Sequence, residues 1–227
     1  HCMGTMAGAG DNSQGVAGVV WQARVVALKF LDSNGFGAIS DAVDCLLYAN
    51  AMGVQITNNS WGGGGYSTAF KAALDASEAL GYLFIAAAGN SGYDNDASPS
   101  YPASYANDNI IAVAATNHDD LLATIANGSG YDSQYGATSV DIGAPGVDIY
   151  STWLPGGLGR PEDYSSISGT SMACPHVAGV AALLWSYSPT AGAAAIKQAI
   201  LDSADPAPTL AGKCVTGGRL NAFGALR

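Results

Sequence analysis

A serine at position 171 stands where a run of small polar residues, Ser168-Gly169-Thr170-Ser171, gives way to Met172-Ala173-Cys174-Pro175-His176-Val177-Ala178-Gly179. Val180, Ala181, Ala182, Leu183, Leu184 and Trp185 follow, apolar on nearly every face, which predicts a buried helix whose N-terminal end reaches the surface. The leading N–H groups of a helix have no intrahelical acceptor and carry the positive end of its dipole. A hydroxyl placed there lies beside donors that can stabilise an oxyanion as it forms, which an acyl-transfer nucleophile requires. Serine and threonine also simply cap helices. Asn90 ends the run Ala88-Gly89-Asn90, and by itself Gly-Asn reads as a turn.

The whole stretch 168–179 resembles the nucleophile motif of the subtilisin-like serine proteases (subtilases), Gly-Thr-Ser-Met-Ala-x-Pro-His-Val-Ala-Gly, with Cys174 at the open position. The resemblance implies a serine-type endopeptidase with Ser171 as nucleophile and the Asn90 amide in the oxyanion hole. It also assigns a substrate groove. Ser60-Trp61-Gly62-Gly63 is similar to the edge that pairs with the substrate backbone, Ala88 and Gly89 flank the oxyanion position, and Ser100-Tyr101-Pro102 matches the far wall of the pocket, where the family has a cis Tyr-Pro bond. Glycines at such an edge let a peptide lie against the main chain. Trp61 reads either as an aromatic surface near the pocket or as a core tryptophan. Ser100, near the pocket floor, is not an acid, so no strict preference for Lys or Arg before the cut is marked.

His1-Cys2-Met3-Gly4-Thr5 resembles the second half of the family's histidine motif, His-Gly-Thr-His-x-x-Gly-Thr. In that register His1 is the second, non-catalytic histidine, and no Asp-Thr-Gly or Asp-Ser-Gly occurs in the chain. The expectation is therefore a single catalytic domain over residues 1–227 that lacks the part bearing the triad aspartate and histidine, and is inactive alone. His176 and His118 read as structural or solvated. Residues 10–19 are similar to a family calcium loop in which Asn12 would supply a side-chain oxygen; a solvated turn fits the same residues. No cofactor is needed for the chemistry. A peptide-binding pseudoprotease, with the groove but no base, is the alternative.

The elements that must position these residues alternate. Residues 24–31 read as a mostly buried strand, and Ser40 as the cap of a helix with Ile39, Val43, Leu46 and Leu47 on its apolar face. A strand over 54–58, a helix over 67–80 with Phe70, Leu74 and Leu80 inward, and strands over 82–87 and 109–115 follow. A further helix covers 193–202. The segment 124–136 departs from the family pattern and reads as a surface insertion; its Asn127-Gly128-Ser129 is a formal glycosylation sequon. The fold expected is α/β, a subtilisin-like three-layer sandwich with a mostly parallel sheet and helices on both faces, its N-terminal strand or strands missing.

Composition narrows the partners. Lys and Arg number 8 against 18 Asp and Glu, a formal net charge of -10, which excludes nucleic acid and anionic membrane as natural partners. No apolar run is long enough to span a bilayer. The run Gly62–Gly65 lacks the Lys-Ser/Thr of a phosphate loop, which removes a nucleotide-binding reading. Cys2, Cys45, Cys174 and Cys214 show no metal-like spacing, and Cys2 and Cys174 read as buried free thiols. Polypeptide substrates, a monomer, and a secreted or extracytoplasmic location are implied by the resemblance.

Overall fold

The computed structural model describes residues 1–154 and 163–227. In chain order its first elements are α1 (Cys2–Ala7), α2 (Ile39–Ala51), β1 (Ile56–Asn59), α3 (Thr68–Ala79), β2 (Leu83–Ala87) and β3 (Ile110–Thr116). Then come β4 (Ile142–Pro145), β5 (Ile149–Thr152), β6 (Tyr164–Ile167), α4 (Thr170–Tyr187), α5 (Ala193–Asp202), β7 (Asp205–Pro206), β8 (Gly218–Arg219) and α6 (Ala222–Ala225).

Strands β2 and β3 are buried at every position. Such strands belong in the middle of a parallel sheet covered on both faces. They lie inside a six-stranded sheet of order β1-β2-β3-β4-β8-β7, parallel from β1 through β8 and closed by antiparallel β7. The register pairs Ile56 with Leu83, Phe84 with Ile110 and Val113 with Ile142. Alternation along the strands then fills two layers. Leu83, Ile85, Ile111 and Val113 pack with Val177 and Val180 of α4. Phe84, Ala86 and Ala112 face the other way, onto Leu46 of α2 and Phe70 and Leu74 of α3. Each fully buried Leu, Ile or Phe contributes about 1.5–3 kcal/mol. The expected α/β sandwich, with a mostly parallel sheet and helices on both faces, is what the chain adopts.

Several local expectations are corrected. Residues 24–31 form no strand: 24–27 are exposed, with Val26 at 48%, and no strand among the described residues pairs with them. An apolar run becomes a buried strand only with a backbone neighbour and cover on both sides, and in the described sheet β1 is the edge. Helix α2 starts at Ile39 with Ala38, not Ser40, at its N-cap, and it buries Ala42, Leu46 and Ala49 while Ile39 and Leu47 are exposed. Ala42 and Leu46 pack with Phe70, Ala73 and Leu74 of α3, which sets a buried face different from the one that periodicity selects. Leu80 is the exposed C-cap of α3. All four cysteines are free thiols, with Cys174 buried as expected and Cys2 only half-buried.

The segment 124–136 is not a surface insertion throughout: Ser129, Ser133 and Gln134 are buried. Asn127, in the sequon, spends its side chain locally, accepting from Thr124 N–H (2.8 Å) and donating to Leu122 O (2.7 Å).

One largely but not fully buried ion pair, its side chains 20% and 16% exposed, ties the sheet to α5. Asp141 Oδ2 accepts from Ala112 N–H (2.7 Å), while Lys197 Nζ stands 3.3 Å from Asp141 Oδ1. Burial pushes the Asp141 carboxyl above its ordinary range, against the pull of the Lys197 ammonium and the Ala112 amide. Removing one partner strands the other. Asp141→Ala should therefore lower stability by about 3–5 kcal/mol, read from urea unfolding, while Lys197→Met with Asp141→Leu should cost clearly less than the single change.

Candidate active site

Helix α4 begins at Thr170, so Ser171 occupies its first turn, half-buried, above a helix whose following residues are buried. Pro175 sits one turn further on and has no N–H to give to the Ser171 carbonyl. That carbonyl is satisfied from outside the helix, by Ser60 Oγ at 2.8 Å and Cys2 Sγ at 3.3 Å. In return Ser171 Oγ donates to Ser60 O at 3.0 Å. A reciprocal pair of bonds thus fixes the end of β1 to the start of α4.

Asn90 follows β2, which leaves the sheet at the same carboxyl end as β1. Its Oδ1 accepts from both Thr170 N–H (2.9 Å) and Thr170 Oγ1 (3.0 Å). Thr170, fully buried, also accepts from Gly89 N–H through Oγ1 at 3.2 Å. With Oδ1 committed to donors, the Asn90 Nδ2 hydrogens are left for the cleft. A Cβ on Gly169 would lie 3.7 Å from Asn90 Nδ2 and 3.6 Å from Ser171 N. Both nitrogens thus lie within 4 Å of the position a Gly169 side chain would take, and no acceptor among the described residues takes the Ser171 N–H. Thr170, visible in the sequence only as a member of Gly-Thr-Ser, ties the 89–90 turn to the start of α4.

The walls assemble from distant segments. Gly63 N–H donates to Tyr101 O (3.3 Å), and Gly64 bridges Tyr101 in antiparallel fashion. A Cβ on Gly63 or Gly64 would meet nothing within 4 Å, so this ledge is open. Gly62 lies against the Tyr101 carbonyl. The Tyr101-Pro102 bond is cis, and Ser100 N–H donates to Ser104 Oγ at 3.0 Å. Ala88 is fully buried and Gly89 half-buried. Of the two readings of Trp61 the structure gives the core one: its ring meets Phe30 at 5.0 Å and Phe70 at 5.5 Å, edge to face, and its N–H donates to Asn59 Oδ1.

None of the histidines bonds Ser171 Oγ. His1 places Nε2 on Ile149 O (2.9 Å) and Ser165 O (3.1 Å), and its ring meets Trp153 edge-on. His118 is exposed beside Asp119. His176 holds Nδ1 on Met172 O at 2.8 Å, and burial pushes its pKa down. The described residues bring the Ser171 hydroxyl and the Asn90 side chain to the start of α4, with no histidine bonded to Ser171 Oγ.

Asn12 lies in an exposed loop, where its Oδ1 accepts from Gln14 N–H at 3.0 Å. Calcium takes about six to eight oxygens, and among the described residues no group of three or more His, Cys, Asp or Glu could hold a metal ion.

Known proteins can be set beside this geometry. The model of the subtilase family matches residues 1–225. The chain belongs to the subtilase family. It is 38% identical over 226 residues to a thermophilic serine proteinase of Bacillus sp. (strain AK1), covering 100% of this chain and 51% of that protein. It is 37% identical over 227 residues to thermitase of Thermoactinomyces vulgaris, covering 100% of this chain and 74% of thermitase. Among solved structures, a protease from Pseudoalteromonas arctica PAMC 21717 superposes with a TM-score of 0.84 at 29% identity, over 100% of this chain and 69% of that one. The chain thus spans about half the length of the first of these relatives.

His176 gives this subtilase a pH dependence. Its folded-state pKa lies below the unfolded value, so its contribution to stability is present above that value and is lost as pH falls. The unfolding midpoint should decline as pH falls below about 6.5, and the decline should be shallower in His176→Gln, measured by thermal unfolding over a pH series.

Proposed function

We infer that the protein is a serine endopeptidase in which Ser171 attacks the peptide carbonyl while Asn90 Nδ2 and the Ser171 N–H hold the resulting oxyanion. The observation that carries this reading is the closeness of Asn90 Nδ2 and Ser171 N to one point, the position a Gly169 side chain would take, beside a hydroxyl at the start of a buried helix. Fixed donors aimed at developing charge are the largest single source of rate in acyl transfer. The substrate is a polypeptide lying along the Gly62–Gly64 ledge with its side chain before the cut between Ala88, Gly89 and Ser100-Tyr101-Pro102.

The proton of Ser171 Oγ needs an acceptor, and the described residues supply only the Ser60 carbonyl. In this reading a histidine, oriented by an aspartate, comes from outside the 227 residues and carries the proton to the leaving amine. Without it, what remains is binding and the oxyanion donors, worth about 10³–10⁴ over water. The family also implies a monomer working outside the cytoplasm, with calcium acting only as a structural ion on the Asn12 loop, completed by ligands from elsewhere. The absence of a histidine on Ser171 Oγ favours one other reading, a groove that binds peptides without cutting them.

Expression of the 227-residue chain and of the full-length protein, with folding checked by circular dichroism, separates the two. The full-length protein should cleave casein in a Ser171-dependent manner and the 227-residue chain should be nearly inactive. Asn90→Ala in the full-length protein should lower kcat by about 10²–10³ with little change in KM, the loss known for removing one oxyanion donor from a subtilisin. Peptide binding without any Ser171-dependent cleavage by the full-length protein would establish the pseudoprotease instead.

A further inference from the structure

Asn90 is exposed at the tip of a turn, yet an oxyanion donor has to be held within a fraction of an ångström. Thr170 fixes the turn on one side only. On the other side lie two side chains that no motif identifies, Asn95 (1% exposed) and Gln134 (6% exposed). Asn95 Nδ2 donates to Ala88 O at 3.1 Å, Gln134 Nε2 donates to Asn95 Oδ1 at 2.6 Å, and Gln134 N–H donates to Gly89 O at 2.9 Å. The orientation of both amides follows from chemistry. A carbonyl only accepts, so Asn95 turns its NH₂ to Ala88 and its oxygen to Gln134, which must then present its own NH₂. The Gln134 oxygen is left against Gly89, where a Cβ would fall 1.7 Å from it. Gly89 also has φ 117°, so a side chain there is excluded twice.

The pair is anchored in the core. Ser133, beside Gln134, accepts from Ala115 N–H of β3 at 2.9 Å and donates to Gln134 O at 3.0 Å. Residues 91–95 run alongside 132–135, with bridges at Ser91–Asp132 and Asp94–Tyr135. The path from β3 through Ser133 and Gln134 to the Gly89 carbonyl is therefore one continuous set of hydrogen bonds. Burying two amides gains little net stability over an apolar pair, since each bond replaces one made to water.

Resting on the oxyanion role inferred for Asn90, we propose that Asn95 and Gln134 are positioning residues for the catalytic step: a buried amide pair that clamps Ala88-Gly89 and aims Asn90 Nδ2 at the oxyanion. They touch no substrate and act through the turn. Their effect falls on the tetrahedral state and not on substrate binding.

The test uses the full-length protein and reads kcat, KM, thermal midpoint and the inhibition constant of a peptide boronic acid, which mimics the tetrahedral oxygen on Ser171. Asn95→Ala and Gln134→Met should each lower kcat about tenfold, with KM within about twofold, and weaken the boronic acid by the same factor. In an Asn90→Ala background the same substitutions should change kcat by less than about twofold, because the donor they aim is gone. If Gln134→Met does not fold, Asn95→Ala and Asn95→Ser carry the same cycle. Equal losses in both backgrounds, or a lower thermal midpoint with kcat and inhibitor affinity unchanged, would overturn the proposal. An Asn90→Ala variant that keeps full kcat would overturn the oxyanion reading and this proposal with it. If Asn90→Ala loses activity and Asn95→Ala does not, only the proposal here is lost.

Discussion

The start of α4 leaves the Ser171 N–H without an acceptor among the described residues and is still held in place by other hydrogen bonds. Those two features conflict, because a helix end is ordinarily stabilised by capping its leading donors. The structure resolves the conflict by holding the helix through other atoms. Ser60 and Ser171 exchange hydrogen bonds through their hydroxyls and carbonyls. Thr170, not Ser171, spends its N–H, and spends it on the Asn90 oxygen. The Ser171 N–H and Asn90 Nδ2 stay available on either side of Gly169.

Pro175 makes this arrangement possible from within the sequence. A residue with an N–H there would compete with Ser60 Oγ and Cys2 Sγ for the Ser171 carbonyl. Proline frees the carbonyl, at a point near enough to the helix start for the break to be tolerated. The end of β1 is thereby recruited to the site, and the Gly62–Gly64 ledge that follows it is fixed relative to Ser171. The parallel sheet supplies the rest, since β1 and β2 both end on the same side and deliver Ser60 and Asn90 to one place.

The polar interior behind the site follows the same logic. Asn95, Gln134, Ser133 and Thr170 are all buried, and the hydrogen bonds named above all run toward Ala88-Gly89-Asn90 or toward the strand that supports it. A buried polar group without a partner costs about 1–3 kcal/mol. A connected set of them therefore has one low-energy arrangement, and the turn inherits that uniqueness.

The sequence by itself determined the sheet centre, the buried helix and the identity of the family. Strands at 82–87 and 109–115 are apolar at nearly every position, and α4 is apolar on nearly every face, so each needs full cover whatever its neighbours are. The twelve residues around Ser171 and the glycine run after Ser60 are contiguous, which makes them legible without a structure. Tertiary contacts alone decided the rest. The apolar run at 24–31 stays irregular because no described strand lies beside it, and Trp61 joins Phe30 and Phe70 because three separate segments meet there. Thr170 could be suspected from its motif, but Asn95 and Gln134 carry no local signal. Their role arises from the pairing of two loops about forty residues apart, and hydrogen bonds between loops leave no periodicity in a sequence.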